Sequence, residues 1–157
     1  MSMSTIGVPL EGFGVYCRAA AAEGAVLLKN EGHMFPLKKE EMVSVFGRCQ
    51  FETYRSGTGS GGAVNEPYAV NIYDGMRESG SFTLNEELAD IYRAWLKDHP
   101  FDNGGGGWAA EPWHQKEMVI TEEIAAAAAE KSEKAIFIIG RTAGEDKDYA
   151  NEAGSYL

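Results

Sequence analysis

The chain is 157 residues long, 44% apolar and 24% charged, and its 24 acidic residues against 14 basic ones give a formal charge of -10. Those proportions exclude a collagen-like or wholly disordered chain and fit one globular domain, or a piece of one. The acidic balance argues against nucleic acid, which needs a basic footprint, and against anionic membranes, so neither is expected as a partner.

No stretch approaches the roughly 18 apolar residues of a membrane span. Met1 to Thr5 carry no basic region followed by an apolar core, the mark of a secretory leader. With only Cys17 and Cys49 there is no disulfide framework, and the expected compartment is the cytoplasm.

Residues 1–13 read as an extended lead-in broken by Gly7, Pro9 and Gly12. Val15, Ala19, Ala22 and Val26 then recur at helical spacing, predicting a helix over 15–29 with its apolar stripe in the core. Residues 42–47, Met-Val-Ser-Val-Phe-Gly, are β-branched and ended by glycine, as a short buried strand is. A helix is predicted over 65–79 with Ala69, Ile72 and Met76 inward. Phe82-Thr83-Leu84 reads as a second, short strand. Leu88, Ile91, Tyr92 and Trp95 place a third helix over 86–97.

Residues 98–118 break the rhythm, because the glycines at 104–107 make regular structure costly. Trp108, Trp113 and His114 flank them. Such rings stack on sugars, cover a partner surface, or pin the loop to its own core, and the area a Trp buries favours pinning. Thr121 offers an N-cap oxygen to a helix over 121–131, with Glu122 and Glu123 at the positive end of its dipole. Residues 135–140, Ala-Ile-Phe-Ile-Ile-Gly, are apolar on both faces, as a central parallel strand is. Helices alternating with buried strands predict an α/β fold, a three-layer sandwich around a largely parallel sheet. Ligands of such sheets bind at the carboxyl ends of the strands.

Two segments that follow predicted strands carry the candidate chemistry. The first is Arg55-Ser56-Gly57-Thr58-Gly59-Ser60-Gly61-Gly62. No Lys-Ser/Thr pair follows the glycines, so it is not a P-loop. Gly57-x-Gly59-x-x-Gly62 matches a dinucleotide fingerprint but lies about ten residues past the strand, where that motif needs a tight turn. A plain flexible loop is a second reading. A loop that contacts a polyol through Ser56, Ser60 and backbone amides is a third. The second segment runs from Gly140 to Tyr149 and holds Glu145, Asp146 and Asp148 within four residues. Crowded carboxylates raise one another's pKa, as a general acid near neutral pH requires, whereas a solvated acidic turn is the plain alternative. Asp146 and Asp148 lack the ligand spacing of a calcium loop, so no metal is expected.

Ala21-Ala22-Glu23-Gly24-Ala25-Val26-Leu27-Leu28-Lys29-Asn30-Glu31, followed by Phe35-Pro36-Leu37, resembles the opening of the α/β sandwich domain of glycoside hydrolase family 3. Val43 to Gly47 resembles its first strand and Tyr54 to Gly62 its Gly-Ser-Gly loop. Ile139 to Leu157, with Ala143-Gly144-Glu145 and then Asp148, resembles its acid/base segment. The resemblance implies a retaining β-glucosidase that hydrolyses terminal non-reducing sugars of a β-glucoside or related oligosaccharide, without cofactor. It implies an active site shared with a (β/α)8 barrel domain of the same polypeptide, which supplies an aspartate nucleophile. By position, Glu145 becomes the acid/base and Ser60 a sugar-hydroxyl contact, with Arg55, Ser56 and Asp148 also on the substrate. Tyr149 stands where the family usually has Arg.

The resemblance begins close to Met1 and stops before the family's sandwich domain is complete. The expectation is an N-terminal fragment, with the sandwich ahead of an absent barrel, inactive alone, and either homodimeric through an unpaired sheet edge or marginally stable. Two other functions stay open: a non-catalytic carbohydrate-binding or scaffold module using Trp108 and Trp113, and a nucleotide-binding α/β domain using the glycine loop.

Overall fold

The computed structural model describes residues 10–54, 68–107 and 109–142, which fall in two units, 1–36 and 37–157. The first unit contains helix α1, Phe13–Glu23. It stops well short of residue 29, because Gly24 caps it, donating its N–H to the carbonyls of Ala20 and Ala22. None of its residues is buried, which overturns the expectation of a core-facing stripe. Among the described residues of its unit, no second layer packs on this helix to enclose a core. Beyond it, Asn30 clasps a turn, its side chain donating to the Phe35 carbonyl at 2.9 Å and accepting the Phe35 N–H at 3.0 Å.

The second unit is organised by one short strand. β1, Met42–Phe46, lies between β2, Thr83–Leu84, and β3, Lys134–Phe137, and all pairings are parallel. Val43 faces Leu84 on one side and Lys134 on the other. Successive side chains of β1 point to opposite faces. Val43 and Val45 gather Tyr73, Leu84 and Ala89, while Phe46 gathers Leu88, Tyr92, Met118 and Ala128. Helices α2 (Ile72–Ser79), α3 (Glu86–Leu96) and α4 (Glu122–Lys131) supply these partners, so the sheet is covered from both sides. The unit is therefore the α/β sandwich that the sequence pattern predicts. Among the described residues no helix is long and apolar enough to cross a membrane.

Each of these helices begins at a side-chain cap. Asn71, Asn85 and Thr121 accept the N–H of Asp74, Leu88 and Ile124 respectively. The Asn71 cap explains why α2 starts later than predicted, leaving Ala69 exposed rather than inward; residues 65–67 lie outside the described part. Asn85 also donates to the Ser44 hydroxyl at 2.9 Å, and Ser44 meets Ser132 at 2.6 Å. This polar group sits on the face that carries α4 and ties both helix-bearing connections to β1.

β3 differs from expectation. Among the described residues it is an edge strand, with Phe137 69% and Ile139 88% exposed. Its alternate residues Ile136 and Ile138 pack on the core, but nothing described pairs with its outer side. Pairing on both edges, rather than apolar sequence alone, makes a strand central.

Gly47 ends β1 at φ 97 and ψ 130, and a Cβ there would sit 2.1 Å from the Ile138 carbonyl oxygen. Only glycine allows the two strand ends to approach this closely. Gly47→Ala should lower the unfolding free energy by about 3 kcal/mol, read from urea-denaturation midpoints at unchanged slope.

Candidate functional site

From β1 the chain passes to β2 on one side and later to β3 on the other, so the strand order reverses between β1 and β3. In open α/β sheets that reversal opens a crevice at the carboxyl ends of the strands. Here it is a cleft of about 630 Å³ between Phe46, Gly47, Tyr92, Met118, Phe137 and Ile139, with Gln115 and Glu117 among its polar groups. The Phe46 and Phe137 rings stack along it at 5.0 Å. Tyr92 closes its inner end, accepting the Gly47 N–H at 2.8 Å.

Arg48 follows at once on a single 3-10 turn, Arg48–Gln50, and is 1% exposed. Its guanidinium donates to the Lys116 and His99 carbonyls, each at 2.8 Å, and to the Glu52 carboxylate through Nε at 3.1 Å and through Nη2. It also lies over the Trp95 ring at 5.3 Å, and that ring stacks on His99. The Arg48 backbone N–H is accepted by the Glu117 carboxylate at 3.0 Å. A charge that cannot be neutralised is thus satisfied largely by the irregular stretch 98–118.

The same stretch holds the two exits from the sheet. Gln115 is 2% exposed. Its Oε1 accepts the Asp102 N–H at 2.7 Å, and its Nε2 donates to the Asp102 carbonyl at 2.8 Å and to the Tyr54 hydroxyl at 3.3 Å. The Tyr54 ring meets Phe101 edge-on at 5.2 Å. The Trp113 carbonyl accepts the Thr142 N–H at 3.0 Å. Gly140 fits between these parts, since a Cβ there would lie 2.2 Å from the Cys49 sulfur and 3.1 Å from the Tyr54 ring. Residues 54 and 140 are therefore neighbours, at the points where the glycine-rich and acidic segments leave the described fold.

Arg55, Ser56, Ser60, Glu145, Asp148 and Trp108 lie outside the described residues. Trp113 is buried, so it pins the loop and offers no sugar platform, as its size predicts. His114 is exposed, with Nδ1 3.1 Å from the Gln115 carbonyl. Sequence reasoning missed Arg48, Tyr54 and Gln115. A cation directly after the glycine of a buried strand was a usable signal for Arg48, whereas nothing local marks Gln115. Among the described residues no group of three or more His, Cys, Asp or Glu side chains could hold a metal.

The family model for the Glycosyl hydrolase family 3 C-terminal domain matches residues 25–154. A β-glucosidase of Ruminococcus albus is 50% identical over 136 residues, which are 87% of this chain and 14% of that protein. The structure of a β-glucosidase from Paenibacillus barengoltzii superposes with a TM-score of 0.93 at 65% identity, covering 98% of this chain and 16% of that one. β-Glucosidase 3B from Thermotoga neapolitana, solved in complex with α-D-glucose, gives a TM-score of 0.77 at 31% identity over 92% of this chain and 20% of its own. The chain thus spans only between 14% and 20% of these proteins.

The packing around Gly140 has a chemical consequence at Cys49. Burial, with the Glu117 charge nearby, pushes its thiol up to about 11. An acid whose pKa is raised by folding leaves stability intact below its unfolded value, near 9.0, and erodes it as the pH climbs through the folded one. Iodoacetamide at pH 8 should label exposed Cys17 and spare Cys49 until denaturant is added. Native-state labelling of Cys49, read by peptide mass mapping, would contradict this packing.

Proposed function

The chain belongs to the family of the glycosyl hydrolase family 3 C-terminal domain, and from that premise we propose that it is the acid/base-bearing part of a retaining β-glucosidase. Glu145 protonates the departing glycosidic oxygen while an aspartate from a (β/α)8 barrel of the same polypeptide attacks the anomeric carbon. The covalent glycosyl-enzyme is then hydrolysed by a water that gives its proton to the Glu145 carboxylate, and the freed sugar leaves. Ser60, Ser56, Arg55 and Asp148 contact the hydroxyls of a β-glucoside or related oligosaccharide.

One observation carries this reading beyond family membership. Tyr54 lies against Gly140, so the segments 55–67 and 143–157 start from adjoining points at the edge where α/β sheets bind ligands. A serine- and glycine-rich segment beside a carboxylate-rich one suits a sugar with a proton donor at its glycosidic oxygen. The burial of Trp113 weighs against a stacking module.

In the polypeptide that carries the barrel, Glu145→Ala should lower kcat/KM for cellobiose and alkyl glucosides by about 10²–10⁴-fold. It should leave dinitrophenyl glucoside, whose leaving group needs no proton, within a few-fold of wild type, with azide restoring turnover. Equal losses on good and poor leaving groups would remove Glu145 from the role of acid.

Residues 1–157 by themselves should hydrolyse no glucoside, because the nucleophile is elsewhere. They should also either sediment as a homodimer that pairs through the open edge of β3, where Phe137 and Ile139 are exposed, or be marginally stable. Turnover by the pure chain, or a monomer that melts cooperatively at high temperature, would count against this account.

A further inference from the structure

The first unit leaves much apolar surface open. Helix α1 carries only Arg18 and Glu23 as charged residues and is apolar on its remaining sides. A helix of that kind is normally enclosed. Yet Phe13, Val15 and Tyr16 are between 51% and 71% exposed. Behind the Gly24 cap, Val26, Leu27 and Leu28 stand between 61% and 92% exposed in irregular backbone. Such a run amounts to on the order of several hundred Å² of apolar surface, a size that marks an interaction site rather than stray exposure. We propose that residues 13–28 form an interface, docked on the (β/α)8 barrel of the same polypeptide.

The family model begins at residue 25, so α1 precedes the sandwich domain and is not needed to complete it. The Paenibacillus barengoltzii structure nevertheless covers 98% of this chain, too much to leave out α1, within a chain of which it is only 16%. The helix is thus kept in a much longer protein, whose greater part is available to cover it. A partner on the same polypeptide also acts at an effective concentration that a second copy in solution does not reach. The barrel surface must then offer an apolar groove with an acceptor at its rim for Arg18, whose long stem lets the charge stay at the edge of the contact.

The inference rests on the reading that a barrel shares the polypeptide, and it adds what keeps the two domains together. Residues 37–41 join the first unit to β1. Fully extended, a link of that length reaches at most about 20 Å. A first unit held on the barrel therefore also holds the sandwich beside it, as a shared active site requires.

The test is alkylation of Cys17, an exposed thiol on α1, by iodoacetamide without substrate. It is read by peptide mass mapping in residues 1–157 alone and in the barrel-containing polypeptide. Residues 1–157 should react within about threefold of the urea-unfolded rate, and the barrel-containing polypeptide at least about tenfold more slowly. Tyr16→Glu should leave the melting temperature of residues 1–157 unchanged, because that side chain is exposed there. In the barrel-containing polypeptide it should speed Cys17 labelling about tenfold, since a carboxylate would have to enter an apolar contact. Photo-cross-linking from p-benzoylphenylalanine at position 16 of that polypeptide should land on barrel peptides. Equally fast labelling in both proteins would overturn the docking, and so would cross-links to sandwich peptides or to a second copy. Should Tyr16→Glu fail to fold in the longer polypeptide, the two wild-type rates and the cross-links still decide. A failed assignment of Glu145 would leave all of these unchanged and show only in the leaving-group dependence.

Discussion

A guanidinium buried at the end of the first strand governs how the rest of the edge is arranged. Taking such a charge out of water costs several kcal/mol unless its donors are met. At Arg48 they are met by the Glu52 carboxylate from its own turn and by the His99 and Lys116 carbonyls from the loop, with the Trp95 ring alongside. The loop over 98–118, with its run of glycines, has little propensity for any fixed shape. Its order is imposed from the sheet side, by a cation whose hydrogen bonds have no substitute once water is gone. Net stability from such a group is small. What it selects is one arrangement of the loop, and with it the placement of Trp113 and Gln115.

Two glycines complete the arrangement by omission. Gly47 lets the end of β1 press against Ile138, and Gly140 lets β3 run onward past Cys49 and Tyr54. Together they bring the strand ends close enough that the chain leaves both from one neighbourhood. Neighbouring exits from different strands of an open sheet are the usual foundation of a binding site, since a rigid scaffold holds loops that carry the chemistry.

Much of the scaffold was readable because local signals and tertiary context agreed. The β-branched run of β1 and the Thr121 cap of α4 needed no long-range information, and Trp113 behaved as its surface area demands. Failures came where context decides. Residues 135–140 look like a central strand, but a strand is central only if another pairs outside it, and nothing described does so at β3. The stripe on α1 looks like a core face but meets no covering layer among the described residues of its unit. At the site, the glycine and acidic motifs were read from residue type and family likeness and lie outside the described residues. Arg48, Tyr54 and Gln115 were not, because their roles arise from partners far along the chain. The Arg48 amide bonds Glu117, and the Tyr54 hydroxyl bonds Gln115.

The pairing of β1 with both neighbours also sets an order of events during synthesis. Val43 and Leu84 are both synthesised before Lys134. Through that interval the second edge of β1 and the apolar face around Phe46 lack their partner strand. Parallel pairings across such long sequence separations form slowly and leave nascent chains open to wrong associations. The buried bond between Ser44 and Asn85 joins two residues that are both synthesised before β3. A polar contact in the centre of an apolar sandwich thus links the two parts of the sheet that are made first.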